Sequence, residues 1–293
     1  MIPDGAFYEK LSRLRLRMRQ KSIMNMTGNR KSVQKGSSTE FSDFREYMPG
    51  DDIRRIDWNA YGRLDRFYVK EYMEEKEAVV SILLDTSASM NYGAKKKCEL
   101  AGMLTAAYGY LGLNNMDRVL IYDMKNMQTP FVANGGKRSI HGLARWLEER
   151  HFEGMVDIMQ AVKSLPAKGS GVTIIISDFL QDSFLNAEEE TVVRILRFLN
   201  FRKQKPVFLQ VLAGEEICVD ITGTRNLIDM EDKSTLRITL DTTSIGTYER
   251  ALKEFSEKLN RECTKAGAFY FLCNTNRDVY QLIFQDLRML YDI

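Results

Sequence analysis

The chain has 293 residues, enough for one large domain or a domain with a sizeable extension. Its 42 Lys and Arg against 40 Asp and Glu leave a formal net charge of +2, which implies no overall pull toward nucleic acid or a membrane surface. No apolar run approaches the length that spans a bilayer, and the basic N-terminus lacks the apolar core of an export signal, so a cytoplasmic protein is expected. Cys98, Cys218, Cys263 and Cys273 form no C-x-x-C pair and read as reduced, mostly buried thiols. With His141 and His151 as the only histidines, the sequence holds no H-E-x-x-H, zinc cluster or Ser-His-Asp order, and P-loop spacing is missing too.

Phe7, Leu11, Leu14 and Met18 recur every three to four residues, with Arg13, Arg15, Arg17, Arg19 and Lys21 between them, and predict an N-terminal helix. Residues 27–40 are rich in Gly, Ser, Asn and Lys and read as a basic solvated loop. Binding of nucleic acid or anionic lipid is the sharper alternative for this loop. Few aromatics interleave with its cations, so neither is an expected partner.

Residues 41–59 form a dense block. Pro49-Gly50 fits the centre of a type II turn, because Pro presets φ and Gly accepts a positive φ. Asp51 or Asp52 can then cap a short helix with Ile53, Ile56 and Ala60 on one face. Arg45, Arg54 and Arg55 sit among Glu46, Asp51, Asp52 and Asp57. The plain reading is an ion-pair network that clamps the block onto the next domain, since it is too short for a core of its own. The sharper reading is a partner-recognition surface that includes Trp58. Residues 67–75 alternate loosely and are expected to form a hairpin or an extended pair with the strand that follows.

From there strands and helices alternate. Strands are predicted over 79–84, 119–122, 172–176, 207–212 and 268–272, with 79–84 and 172–176 read as fully buried, and helices over 100–111, 140–147, 158–165, 192–201, 248–266 and 279–290. Residues 217–240 read as one or two hairpins. The alternation predicts an α/β fold with a mainly parallel sheet and helices on both faces. The strand over 79–84 ends in Asp85-Thr86-Ser87-Ala88-Ser89-Met90. A carboxylate and two hydroxyls spaced two apart then stand at the carboxyl end of a buried strand, where α/β sheets bind ligands. Oxygen donors without His or Cys suit a hard cation such as Mg²⁺, while the same residues also serve as turn and cap residues.

Two blocks carry a resemblance. The run from Glu40 to Trp58 closely resembles the signature E-F-x-D-x-R-x-Y-x-P-G-D-D-x-R-x-I-D-W of the bacterial family known as domain of unknown function 58. The spacing to Asp85, and the later Asp117-Arg118-Val119 and Ser177-Asp178-Phe179, match as well. The D-x-S-x-S spacing resembles the first element of the metal-ion-dependent adhesion site of von Willebrand factor A domains. The resemblance implies a von Willebrand A-like domain over residues 77–293 with a hairpin insertion near 215–243. Residues 1–76 would supply the N-terminal helix, the basic loop and the signature block, packed on that domain. It also implies a partnership with MoxR-type AAA+ ATPases.

For the metal site, the resemblance assigns Asp85, Ser87, Ser89 and Asp178 as ligands of Mg²⁺ or Mn²⁺. Val156 stands where a Thr is implied, filling the space without an oxygen, so weak binding is expected. The signature residues Arg45, Asp51, Asp52, Arg54, Asp57 and Trp58 are assigned to partner binding or structure. The expected function is a non-enzymatic interaction module or adaptor. A metal-dependent phosphoesterase using Asp85 and Asp178, or nucleic-acid and anionic-surface binding through the N-terminus, are the alternatives.

Overall fold

The structure is a computed structural model that describes residues 5–16, 39–74, 79–136, 139–166, 170–185, 190–231 and 233–292. The chain divides into a larger unit, residues 1–18 with 78–293, and a smaller unit, residues 19–77. The larger unit opens with helix α1 (Gly5–Leu11) and a short strand β1 (Arg15–Leu16). Phe7, Leu11 and Leu14 are buried in the same apolar cluster as Val80 and Ile82. The apolar face of the first helix is thus part of the core of the α/β unit. The helix stops at Leu11, and Met18 lies outside the described residues.

In the smaller unit, strands β2 (Thr39–Glu46) and β3 (Tyr68–Glu74) pair antiparallel, with a bulge between Phe41 and Asp43. The expected pairing of residues 67–75 with the strand over 79–84 is therefore replaced by pairing with the signature block itself. The Pro49-Gly50 turn forms as predicted, with Gly50 at φ 108° and the Asp51 amide donating to the Met48 carbonyl at 3.0 Å. The single predicted helix resolves into two capped pieces. Asp52 caps a 3₁₀ turn over Ile53–Arg55, and Asp57 caps helix α2 (Trp58–Leu64). A carboxylate at each start satisfies amides that have no helical acceptor. Ile56 is buried and bridges to Val69, whereas Ile53 points outward.

The rest of the larger unit is built on one six-stranded sheet. In chain order the elements are β4 (Val79–Leu84), α3 (Lys97–Asn114), β5 (Arg118–Asp123), β6 (Asn126–Asn134), α4 (Ile140–Glu148), α5 (Ile158–Lys163), β7 (Gly171–Ser177), α6 (Asp182–Leu185), α7 (Glu190–Phe201) and β8 (Gln204–Leu212). They continue with α8 (Gly214–Ile217), the hairpin β9 (Gly223–Ile228) and β10 (Thr235–Leu240), then α9 (Thr242–Lys265), β11 (Phe269–Asn274), α10 (Val279–Gln281) and β12 (Tyr291–Asp292). The strand order is β11-β8-β7-β4-β5-β6, parallel except for β6. The strands alternate between two cores. Val80, Ile82, Val119, Ile121, Ile174 and Leu209 face the helices α1, α3 and α4, while Leu83, Leu120, Ile175 and Phe208 face α5, α7 and α9. A sheet covered on both faces explains why β4 and β7 read as nearly continuous apolar runs.

Two sequence expectations fail in this unit. The antiparallel edge strand β6 is absent from the sequence reading, because Pro130 interrupts it and its side chains are mostly exposed. Proline is tolerated there because an edge strand leaves one row of amides unpaired. The unbroken helix over 279–290 is also replaced. A wide π-helical turn over Leu282–Asp286 and a 3₁₀ turn over Arg288–Leu290 follow α10. The Leu287 amide donates to the Leu282 carbonyl at 2.9 Å, and the wide turn keeps both side chains in the core. β12 then pairs antiparallel with β1. No helix among the described residues is long and apolar enough to cross a membrane.

Candidate functional site

β4 and β7 are adjacent parallel strands in register, Leu84 opposite Ile176. Their carboxyl ends therefore deliver Asp85 and Asp178 to one sheet edge, both buried. Asp85 is fixed at both oxygens. The Ser87 amide donates to Oδ1 at 2.9 Å, and the Ser177 hydroxyl donates to Oδ2 at 2.5 Å. The loop then turns so that the Ser87 and Ser89 hydroxyls lie 3.0 Å apart. The neighbouring loop clasps it: the Glu153 amide donates to the Thr86 carbonyl and the Ala88 amide to the Gly154 carbonyl, both at 2.9 Å. Gly154 sits at φ 68°, which a side chain rarely adopts. The Thr86 hydroxyl bonds Asp123, at the end of β5, at 2.5 Å.

Asp178 is held differently. Its Oδ1 accepts the Leu180 amide at 3.0 Å, and its Oδ2 faces the ammonium of Lys97 at 2.8 Å. The following residue, Phe179, has φ 58°. For a bulky residue that is a strained conformation, kept here by its amide bonding the Ser177 hydroxyl and its ring stacking on Phe208 at 5.1 Å. Lys97 also contacts Glu216 Oε1 at 2.7 Å, and Glu216 Oε2 accepts the Ala213 amide at 2.8 Å.

The electrostatics follow from burial. Burial, then the charge of Asp178, pushes the Asp85 carboxyl up to about 6, although hydrogen bonds from Ser177 and Ser87 pull the other way. Burial alone would lower the Lys97 ammonium, yet Asp178 and Glu216 more than offset it and hold it charged. Glu216 shares that one lysine with Asp178, so its own burial wins and its carboxyl rises. Glu231, in the turn of the β9–β10 hairpin, is pushed up to about 6, first by burial and then by the charges of Asp178 and Asp85.

The site opens onto a cavity of about 1410 Å³ whose walls include Ser89, Val156, Leu180, Glu216, Ile228 and Glu231. The donor set fits a hard divalent cation in kind: two strand-end carboxylates and two adjacent hydroxyls, with a buried Asp85 that is short of positive charge. Among the described residues, no group of three or more His, Cys, Asp and Glu is placed to hold a metal, so hydroxyls or water must supply part of any shell. Val156 is half-buried on the cavity wall and adds no oxygen.

The sequence reading missed Lys97, Glu216 and the hydroxyl of Ser177. Lys97 follows the exposed Lys95 and Lys96, which disguises it as part of a solvated run. Its spacing to Leu100, Ala101, Leu104 and Tyr108 places it on the buried face of α3 and is the signal that finds it. The signature residues belong to the smaller unit. Arg45 holds Asp51 through two contacts at 2.9 and 3.0 Å, which with the Met48 amide keep the Asp51 carboxyl below its ordinary value. Arg54 pairs with Asp52 at 3.1 Å, and Asp57 accepts the Asn59 and Ala60 amides. Trp58 is 62% exposed and meets Phe67 edge-on.

Uncharacterized proteins of Mycobacterium bovis and Mycobacterium tuberculosis are each 26% identical to this chain over 286 residues, covering 94% of it and 87% of their own length. Among solved structures, the conserved hypothetical protein BatB from Bacteroides thetaiotaomicron has a TM-score of 0.42 at 14% identity, covering 73% of this chain and 98% of that one. An aerotolerance-related membrane protein from Bacteroides fragilis has a TM-score of 0.34 at 15% identity, covering 63% of this chain and 99% of that one. The profile of the family described as protein of unknown function DUF58 matches residues 43–258, which take in the signature block from Asp43 onward, both strand-end carboxylates and the hairpin. The chain belongs to the DUF58 family.

Proposed function

We propose that the larger unit is a von Willebrand A-like module that binds a partner protein without turnover of its own, as a cytoplasmic adaptor for a MoxR-type AAA+ ATPase. The observation that carries this reading is the meeting of Asp85 and Asp178 at one sheet edge beside the Ser87 and Ser89 hydroxyls, at the wall of a large cavity. Asp85, Ser87, Ser89 and Asp178 are the residues that would hold Mg²⁺ or Mn²⁺. What a bound divalent cation supplies there is a Lewis-acidic position for a carboxylate oxygen of the partner.

The chain's own residues do the rest. Ser177 and the Ser87 amide orient Asp85 and leave it no freedom to turn away. Ser89 and Val156 shape the wall that a partner segment meets. Val156 keeps binding weak until a partner completes the shell, because it fills the volume of a threonine without its hydroxyl.

The test is retention of a MoxR-type ATPase by the immobilised chain. EDTA and Asp85→Ala should each weaken retention, while charge reversal at Arg54 leaves it unchanged. Metal-dependent phosphoesterase activity abolished by Asp178→Ala would overturn the non-enzymatic reading. A second reading rests on the smaller unit. There Tyr61 stacks on Phe67 at 4.5 Å beside the exposed Trp58, and Met48, Ile53 and Leu64 are also exposed. The Trp58–Tyr61–Phe67 ring cluster gives a face that suits a protein partner. If retention survives both EDTA and Asp85→Ala, this face is the docking surface.

A further inference from the structure

Lys97 is a buried cation inside the candidate site. It is 1% exposed at the first position of α3. A lysine is unfavourable there on two counts. The start of a helix carries positive partial charge, and an ammonium removed from water is strongly unfavourable unless it is paired. Asp178 at 2.8 Å and Glu216 at 2.7 Å provide the pairing. With Lys97 in place, all four oxygens of Asp85 and Asp178 already have a donor: the Ser87 amide, the Ser177 hydroxyl, the Leu180 amide and this ammonium.

We propose that Lys97 is the resident cation of the site. Its ammonium holds Asp178 and Glu216 together in the folded chain without a metal, and it competes with a divalent cation for Asp178. The inference rests on the cation reading above and adds what sets the affinity. A divalent ion gains Asp178 only by sharing or displacing the ammonium. The native site is therefore stable without metal and weak toward it.

The test compares Mn²⁺ binding by calorimetry, and melting temperature in EDTA and in Mn²⁺, for the wild type, Lys97→Arg, Lys97→Met and the double variant Lys97→Met/Glu216→Gln. Lys97→Met alone leaves two carboxylates buried without a counter-ion, which can unfold the chain. The double variant removes one charge of each sign and leaves Asp178, beside Asp85, without its ammonium partner. It should bind Mn²⁺ about tenfold or more tightly than the wild type, and its melting temperature should rise with Mn²⁺ where that of the wild type barely moves. Lys97→Arg should behave as the wild type. Equal Mn²⁺ affinity in the wild type and the double variant overturns the role of Lys97 and leaves the cation site standing. Binding by the double variant alone supports Lys97 and refutes a cation bridge in the native chain. No binding by either refutes both.

Discussion

At the scale of single residues, the chemistry turns on carboxylates kept out of water. The Asp85 carboxyl lies at about 6 in the folded chain against an ordinary 3.8, raised first by burial and then by Asp178. The folded state therefore takes up this proton at a higher pH than the unfolded chain does. The metal-free protein gains stability as pH falls from about 6 toward about 4, on the order of 2 kcal/mol, and the gain is complete below the unfolded value. Glu216 shifts in the same direction. Urea unfolding in EDTA should thus give a more stable protein at about pH 5 than at about pH 7, and Asp85→Asn should flatten that step. Parallel profiles for the two proteins would show that Asp85 is not under this strain. Val156 offers a second test: Val156→Thr returns an oxygen at nearly constant volume and should tighten Mn²⁺ binding severalfold by calorimetry. Asp85 and Asp178 were legible in the sequence because each ends an apolar strand. Glu216 was not, because only the fold brings the end of β8 to the start of α3, and no local pattern marks that meeting.

Among the elements, the buried parallel strands were the easiest to read, since a sheet covered on both faces writes β4 and β7 as unbroken apolar runs. The exposed strand β6 and the π-turn before β12 carry no such signal, because one is polar with a proline and the other departs from helical periodicity. The pairing of β4 with β7 is what brings the two carboxylates together, and it depends on a close approach at its start. A Cβ on Gly171 would lie 2.0 Å from the Val79 carbonyl oxygen. Backbone cannot yield there as a side-chain tip can, so Gly171→Ala should cost about 2 kcal/mol or more, read as a fall in melting temperature. An unchanged melting temperature would mean that this end of the sheet is looser than the register implies. Gly112 plays a similar part on α3, where a Cβ would lie 2.7 Å from a Val119 methyl.

For the whole molecule, the first helix, expected to pack on the α/β domain, lies in the core of the α/β unit through Phe7 and Leu11. The periodicity of that helix was visible, but the surface it packs on lies more than sixty positions away in the chain, at Val80 and beyond. The larger unit then combines a strand-end oxygen cluster, a buried lysine and a cavity walled partly by the β9–β10 hairpin. On the function proposed above, this unit would recognise a partner through a cation that it holds weakly alone. The proposed function requires a divalent cation to bind at Asp85. Its most direct test is a calorimetric titration of Mn²⁺ into the wild type and Asp85→Ala. Weak, saturable binding at one site is expected in the wild type and none in Asp85→Ala. Binding that is absent from the wild type, or equal in both proteins, would contradict it.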